Sequence, residues 1–445
     1  MKTLFRLLAL TAFAVLHCTS LSAGEVAQRH TPTAQKLKAL CDADTTLWPL
    51  MAEFCDYFPR RLSGSTMLDE SLTWLERRLT AEGWTVKSQP VMVPNWKRGQ
   101  ESARLLAPYH RNLPMLGLGG SVGTGGKPLR ADILVVTSFD DLRKRGSQAK
   151  GRIVVWNVPF TTYGQTVAYR YNGASEAARY GAVASLVRSV GPFSMQTPHT
   201  GGMAYNDSLP KIPAAAITME DALFFQRMQD RGEQLSVELV MNATWEQDAP
   251  SRNIIVEIPG TELPNEVVVM GGHIDSWDVG FGAMDDAGGC IVAWRALRHI
   301  RDLGLKPKRT IRMCFWTNEE NGLRGGVGYA RQTEQERHVM GIESDGGVFK
   351  PTGFSTSAKG PLRTYLEDAA LLLAPIGAST LTDGEGGADT SPLHEKGVPV
   401  MELVTDGPYF WYHHTDADSP DKLDPKQMAD CTYAMAIMAW VCAQQ

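Results

Sequence analysis

Residues 266–270, Glu-Val-Val-Val-Met, form a short apolar run that stops at Gly271-Gly272-His273-Ile274-Asp275. A β-branched run bounded by glycine reads as a buried strand, residues 286–303 read as a helix, and the apolar run 310–316 reads as a second strand. Strand, crossover helix and strand form a βαβ unit whose right-handed connection implies a parallel pair. This unit constrains the fold more than any other feature, because a parallel pair belongs to a sheet covered by helices on both faces. Further strands are expected near 339–342 and 398–403, with a closing helix over 425–443. The fold class expected is α/β, a mixed sheet flanked by helices.

The chain has 445 residues, too many for one small core. Residues 32–83 read as helical, with Leu68, Leu72, Leu75 and Leu79 at helical spacing, and residues 84–93 read as extended. From 108 to 245 the texture changes to short β runs broken by Gly and Pro, with one helical segment at 174–180. That stretch reads as a β-rich module inserted between residues 24–107 and 246–445 of the main domain. Residues 1–23 have the layout of an export signal: Lys2 and Arg6, an apolar core over 7–16, then small residues to Ala23. A secreted or periplasmic location follows as an expectation. No other apolar run is long enough to span a bilayer, and a formal net charge of −5 offers no basic field for nucleic acid. Six cysteines remain beyond the leader, none with zinc-finger spacing; Cys41 with Cys55, or Cys431 with Cys442, are the pairs an oxidising compartment could join, though the second pair is too far apart along one helix.

The chemistry gathers where strands end. His273 and Asp275 lie two apart on extended backbone and leave the same face, so the carboxylate can fix the imidazole tautomer and free its other nitrogen for a metal. Asp285 and Asp286 head the helix that follows, whose N-terminus favours anions. Asp285 is assigned to bridge two cations with its two oxygens and Asp286 to capping or support. Glu319 and Glu320 follow the 310–316 strand and point in different directions, so that one can ligate while the other faces an attacking water. Asp345 follows another apolar run. His413 and His414 lie beyond Tyr409-Phe410-Trp411-Tyr412, and one of them is a candidate ligand.

The order H-x-D, D-D, E-E, D, H resembles the zinc exopeptidase family that includes bacterial leucyl aminopeptidases and glutamate carboxypeptidases. Matching stretches run from Asn95-Trp96-Lys97-Arg98-Gly99 through Thr197-Pro198-His199-Thr200-Gly201 to Thr317-Asn318-Glu319-Glu320-Asn321-Gly322. The resemblance implies a phosphorylase/hydrolase-like domain with an inserted protease-associated domain, and two zinc ions per subunit. It implies that His273 and Asp345 bind one ion, Glu320 and His414 the other, and Asp285 both; Asp275 supports the site and Glu319 is the general base. Asp389, His413, His199 and Tyr412 are candidates for meeting substrate, Asp389 through its amine. One departure is Asp285-Asp286-Ala287-Gly288-Gly289, where the family has a third glycine. The function expected is hydrolysis of dipeptides or short peptides with free termini. A broad aminopeptidase, or an amidase on acylated or cyclised amino acids, is the alternative within enzymes, and an inactive receptor-like protein the alternative outside them. A homodimer stays open.

Overall fold

A computed structural model describes residues 24–445; the export signal expected at 1–23 lies outside the described residues. The βαβ unit is the centre of the fold. Leu263–His273 pairs in parallel with Arg309–Trp316 on one side and Arg337–Glu343 on the other, and the crossover helix is Gly288–Asp302. Outward from these, the eight-stranded sheet runs Lys87–Val93, Ala249–Ile258, Arg309–Trp316, Leu263–His273, Arg337–Glu343, Val400–Asp406, Lys350–Thr356 and Thr380–Asp383. Antiparallel pairs lie towards both edges, so the sheet is mixed.

Val267, Val268, Val269 and Met270 are all buried because alternate side chains meet cores on opposite faces. Val268 and Met270 join the larger core with the Gly288–Asp302 helix and the closing helix Pro425–Gln444, while Val267 and Val269 pack with Tyr329, Ala330 and Leu393. Full burial of such a side chain contributes roughly 1.5–3 kcal/mol. The expected helical region over 32–83 is three helices, Glu25–Ala43, Leu47–Tyr57 and Thr66–Ala81, the last capped by the Ser65 hydroxyl.

The second module begins earlier than the break at 108. Its sheet includes Glu101–Ala107, paired with Ser236–Met241, and its stem is the pair Trp96–Lys97 with Thr244–Trp245. It is also more helical than the β runs suggested. Parallel strands Leu129–Val136, Ile153–Trp156, Ala184–Arg188 and Ala214–Ile217 alternate with helices, among them Tyr163–Arg179 and Met219–Asp230. Two apolar clusters cover its two faces, which gives the module a core of its own.

Cys41, Cys55, Cys290, Cys314, Cys431 and Cys442 are free thiols, all buried, so neither candidate disulfide forms. Each acts as a small apolar residue, and burial pushes the Cys55 and Cys442 thiols up to about 12, where they are unreactive.

Candidate metal centre

His273 closes its strand with the imidazole fully buried. Its Nδ1 lies 2.9 Å from the Asp275 backbone carbonyl, while the Asp275 carboxylate stands off at 3.8 Å. The carbonyl therefore sets the tautomer, where the sequence pointed to the carboxylate. The freed Nε2 faces Asp345 at 3.1 Å and Asp285 Oδ1 at 3.2 Å. Asp275 acts elsewhere: its oxygens accept the amides of Glu319 at 3.1 Å and Glu320 at 3.4 Å, which fixes the turn carrying both glutamates. That turn begins at Asn318, whose φ of 68° is a left-handed conformation asparagine tolerates.

On the other side of Asp285 stands His414. Its Nε2 is 3.2 Å from Asp285 Oδ2 and 3.1 Å from Glu320 Oε2. His414 holds φ at 62°, an uncommon conformation for a bulky residue. The inserted module braces it: the Thr200 amide donates to the His414 carbonyl at 3.0 Å, and the Thr200 carbonyl lies 3.3 Å from His414 Nδ1. His413 stacks on His414 with ring centres 3.4 Å apart, and its Nε2 is 3.7 Å from Asp285 Oδ2. It is thus within reach of the same centre, beside its expected place near substrate.

Asp285 and Asp286 do not begin the helix as expected. They occupy a non-helical turn just before it, at φ −131° and −135°. Asp286 caps, as expected, accepting the Gly289 amide at 3.0 Å and the His273 amide at 3.1 Å. Gly272 permits this approach, because a β-carbon there would fall 2.0 Å from an Asp286 oxygen.

The donor set fits divalent cations. Two groups, His273 with Asp285 and Asp345, and Asp285 with His413 and His414, each bring three ligand atoms within 4.8 Å of one another. Asp285 Oδ2 is buried without a hydrogen-bond donor, an anionic atom that calls for a positive partner. Glu319, with burial as the main cause and Asp345 and Asp285 adding to it against the pull of His273, is pushed up to about 8. Burial also raises Glu320 and Asp345. Burial pushes Asp285 up as well, yet the adjacent imidazoles of His273 and His414 outweigh it and hold this carboxyl well below its ordinary range. Positive charge placed among these groups relieves their repulsion.

The centre opens into a cavity of about 620 Å³ lined by Asp285, Glu319, Glu320, Asp345, His413 and His414 from the main domain and by Tyr163, Arg170, Tyr171 and Gly202 from the inserted module. Tyr409 and Phe410 supply its aromatic wall; Tyr412 is not part of it and its ring lies under Lys422. Asp389 and His199 are also absent from the lining. Asp389 is fully buried, its amide accepted by Glu343 at 3.1 Å and both its carboxylate oxygens without a hydrogen-bond partner, and His199 is 1% exposed with its amide held by Ser189. Of the four candidates for meeting substrate, His413 lines this cavity and the other three do not.

Two residues that the sequence did not single out hold the loop between His273 and Asp285. The buried Arg61 guanidinium donates to the carbonyls of Ile274, Phe281 and Gly282 at 2.8 to 2.9 Å. Asp418 accepts the amides of Ala283 and Met284, both at 2.9 Å, and burial, then the Asp285 charge, pushes it up to about 7. Asp418 follows His413-His414 closely enough that its acidic spacing was a usable signal; Arg61 gave none. The Gly119-Gly120-Ser121-Val122-Gly123 stretch has the spacing of a serine-hydrolase elbow, but Ser121 is buried and its hydroxyl serves the Val122 carbonyl and the Ala214 amide.

A mixed α/β sheet with carboxylates and imidazoles converging at its strand ends defines a metallopeptidase. The chain belongs to peptidase family M28: the model described as Peptidase family M28 matches residues 253–439, and the Carboxypeptidase Q of Xenopus laevis is 44% identical over 88% of this chain and 85% of its own length. The Carboxypeptidase Q of Homo sapiens is 42% identical over 88% of this chain and 84% of its own. A crystal structure of a Peptidase M28 precursor from Shewanella amazonensis superposes with a TM-score of 0.90 at 32% identity, covering 94% of this chain and 97% of that one. A zinc aminopeptidase from Bacillus subtilis shares the fold, with a TM-score of 0.64 at 20% identity over 88% of this chain and 94% of that one. Among the described residues no helix is long and apolar enough to cross a membrane.

Proposed function

We propose that the protein is an exported dizinc exopeptidase that hydrolyses dipeptides or short peptides with free termini. The observation that carries this reading is Asp285, whose two oxygens each lie 3.2 Å from a different imidazole. His273 and Asp345 would hold one ion, Glu320 and His414 the other, with Asp285 between them. Zinc, when bound, supplies the positive charge that polarises a scissile carbonyl and acidifies a water.

The chain's own residues do the rest. Glu319 lines the cavity beside Asp285 and Asp345, takes the water's proton and delivers it to the leaving amine. Its burial favours this, since a carboxylate pushed above its ordinary range holds a proton more readily than an exposed glutamate. Asp275 keeps Glu319 in place through the amide it accepts. The inserted segment, read as a protease-associated domain, narrows access through Tyr163, Arg170 and Tyr171 and shuts out folded proteins. The name of the relatives, carboxypeptidase, and the similarity over nearly the whole chain favour this reading over a broad aminopeptidase or amidase. The complete ligand set speaks against an inactive binding protein, for which so many buried polar groups would be costly.

The test is hydrolysis of a panel of free and end-blocked dipeptides by protein stripped of metal and then reloaded with zinc. Activity should return with two equivalents of zinc. Turnover that survives complete metal removal would overturn the reading.

A further inference from the structure

We propose that Glu402 is the specificity residue that receives the substrate's free amine. The inference rests on the peptidase reading above and assigns a part of the cavity which that reading leaves open. Glu402 stands on the Val400–Asp406 strand, in register with Glu343, and its side of the strand lines the same cavity of about 620 Å³ as Glu319 and Asp345. Asp389, expected to play this part, is fully buried and not among the residues lining the cavity, so Glu402 is the carboxylate beyond the metal-facing set that the cavity presents.

Its surroundings ask for a cation. Among the described residues no hydrogen bond or ion pair reaches the Glu402 carboxylate, and after burial the charged groups that act on it are Glu343 and Asp345, both acidic. Burial and these two neighbours push it up to about 8. A carboxylate so placed gains more from an incoming ammonium than an exposed one, because the ammonium replaces solvation already lost.

The opposite pole of the cavity is basic. Arg170 comes from the inserted helix Tyr163–Arg179 and is 5% exposed; its guanidinium is held by the Tyr163 hydroxyl at 2.8 Å and by the carbonyls of Thr200 and Gly202, both at 3.3 Å. The Thr200 carbonyl that Arg170 holds also lies 3.3 Å from His414 Nδ1, whereas Glu402 is in register with Glu343, two residues before Asp345, so Arg170 stands by the His414 side of the metal centre and Glu402 by the Asp345 side. A dipeptide zwitterion laid across the centre with its amine at Glu402 meets opposite charge at both ends. The reversed pose meets like charge at both. Glu402 thereby sets the direction in which substrate lies as well as its need for a free amine.

The experiment compares alanyl-alanine with propanoyl-alanine, which has the same length and lacks the amine, on zinc-loaded wild type and Glu402→Gln. Wild type should prefer the free amine at least about tenfold in kcat/KM, and E402Q should bring that ratio to near one, with the larger share of the loss in KM. Zinc content and Tm check that the variant is folded and loaded. A ratio unchanged in E402Q, or no preference in wild type, overturns the assignment. Calorimetric binding of the same two compounds to Glu319→Gln, with and without E402Q, separates this from failure of the peptidase reading. An amine-dependent affinity that vanishes with E402Q supports the assignment even where no peptide is turned over, and an affinity indifferent to E402Q removes it.

Discussion

Asp285 offers each oxygen to a different imidazole while Asp286, its neighbour, caps a helix and ties down the His273 amide. This division makes the two acids separable by experiment. Asp285→Ala should lower zinc content and Tm together, because the cations lose the anion between them and bound metal stabilises the folded state. Equal zinc in variant and wild type, measured by elemental analysis, would move the bridge to another group. Glu319→Gln should keep its metal and lose turnover by about 10²–10⁴-fold, since an amide cannot take the proton; near-normal kinetics would remove Glu319 from the base role. His273, Glu320 and Asp345 stood out as candidate ligands because they end apolar strands, Asp285 because it is one of two acids between glycines, and His413 and His414 because they follow an aromatic run, the choice between the two resting on the family resemblance. Arg61 and Glu402 were not, because what gives them meaning is their place among residues far away in the chain.

The helix Gly288–Asp302 carries the main-domain core and is pinned near its middle. Asp44, at the end of Glu25–Ala43, lies 2.6 Å from Arg295 and 3.2 Å from His299, all three nearly buried. Burial pushes the Asp44 carboxyl up, but hydrogen bonds from His299 and Thr46 and the Arg295 charge outweigh it and hold the group well below its ordinary range. A depressed carboxyl contributes stability that is present above its unfolded value, about 4, and is lost as pH falls further towards the folded one. Asp44→Ala should therefore cost about 3–5 kcal/mol at neutral pH by leaving Arg295 and His299 unpaired. The Tm gap between variant and wild type should narrow below about pH 4; a gap that is constant from pH 7 to 3 would exclude this linkage. At this scale the periodicity of 286–303 and 425–443 read correctly as helices. The helix Met219–Asp230 was missed, although Thr218 caps it through the Asp221 amide and Met219, Ala222, Phe225 and Met228 recur at helical spacing.

The two modules meet at the cavity that holds the candidate metal centre. The stem at Trp96–Lys97 and Thr244–Trp245 brings the inserted sheet back over the strand ends, and its loop through Thr200 grips His414 from outside. A cavity of about 620 Å³, walled on one side by the inserted module, suits a short peptide. Across a series from two to ten alanines, kcat/KM should fall steeply beyond the shortest members, by at least about 100-fold at the longest; a flat profile would mean that the inserted module does not limit access. By itself the sequence determined the βαβ unit, the buried strands and which acids and histidines end them, because alternation, glycine stops and the position of polar residues after apolar runs are local properties. The tertiary structure decided that the Asp275 carboxylate serves the glutamate turn and not the imidazole, that Asp389, His199 and Tyr412 are left out of the cavity lining, and that Tyr163, Arg170 and Glu402 are part of it. Those outcomes depend on how a module of its own core is seated against another, a long-range packing result that no local pattern encodes.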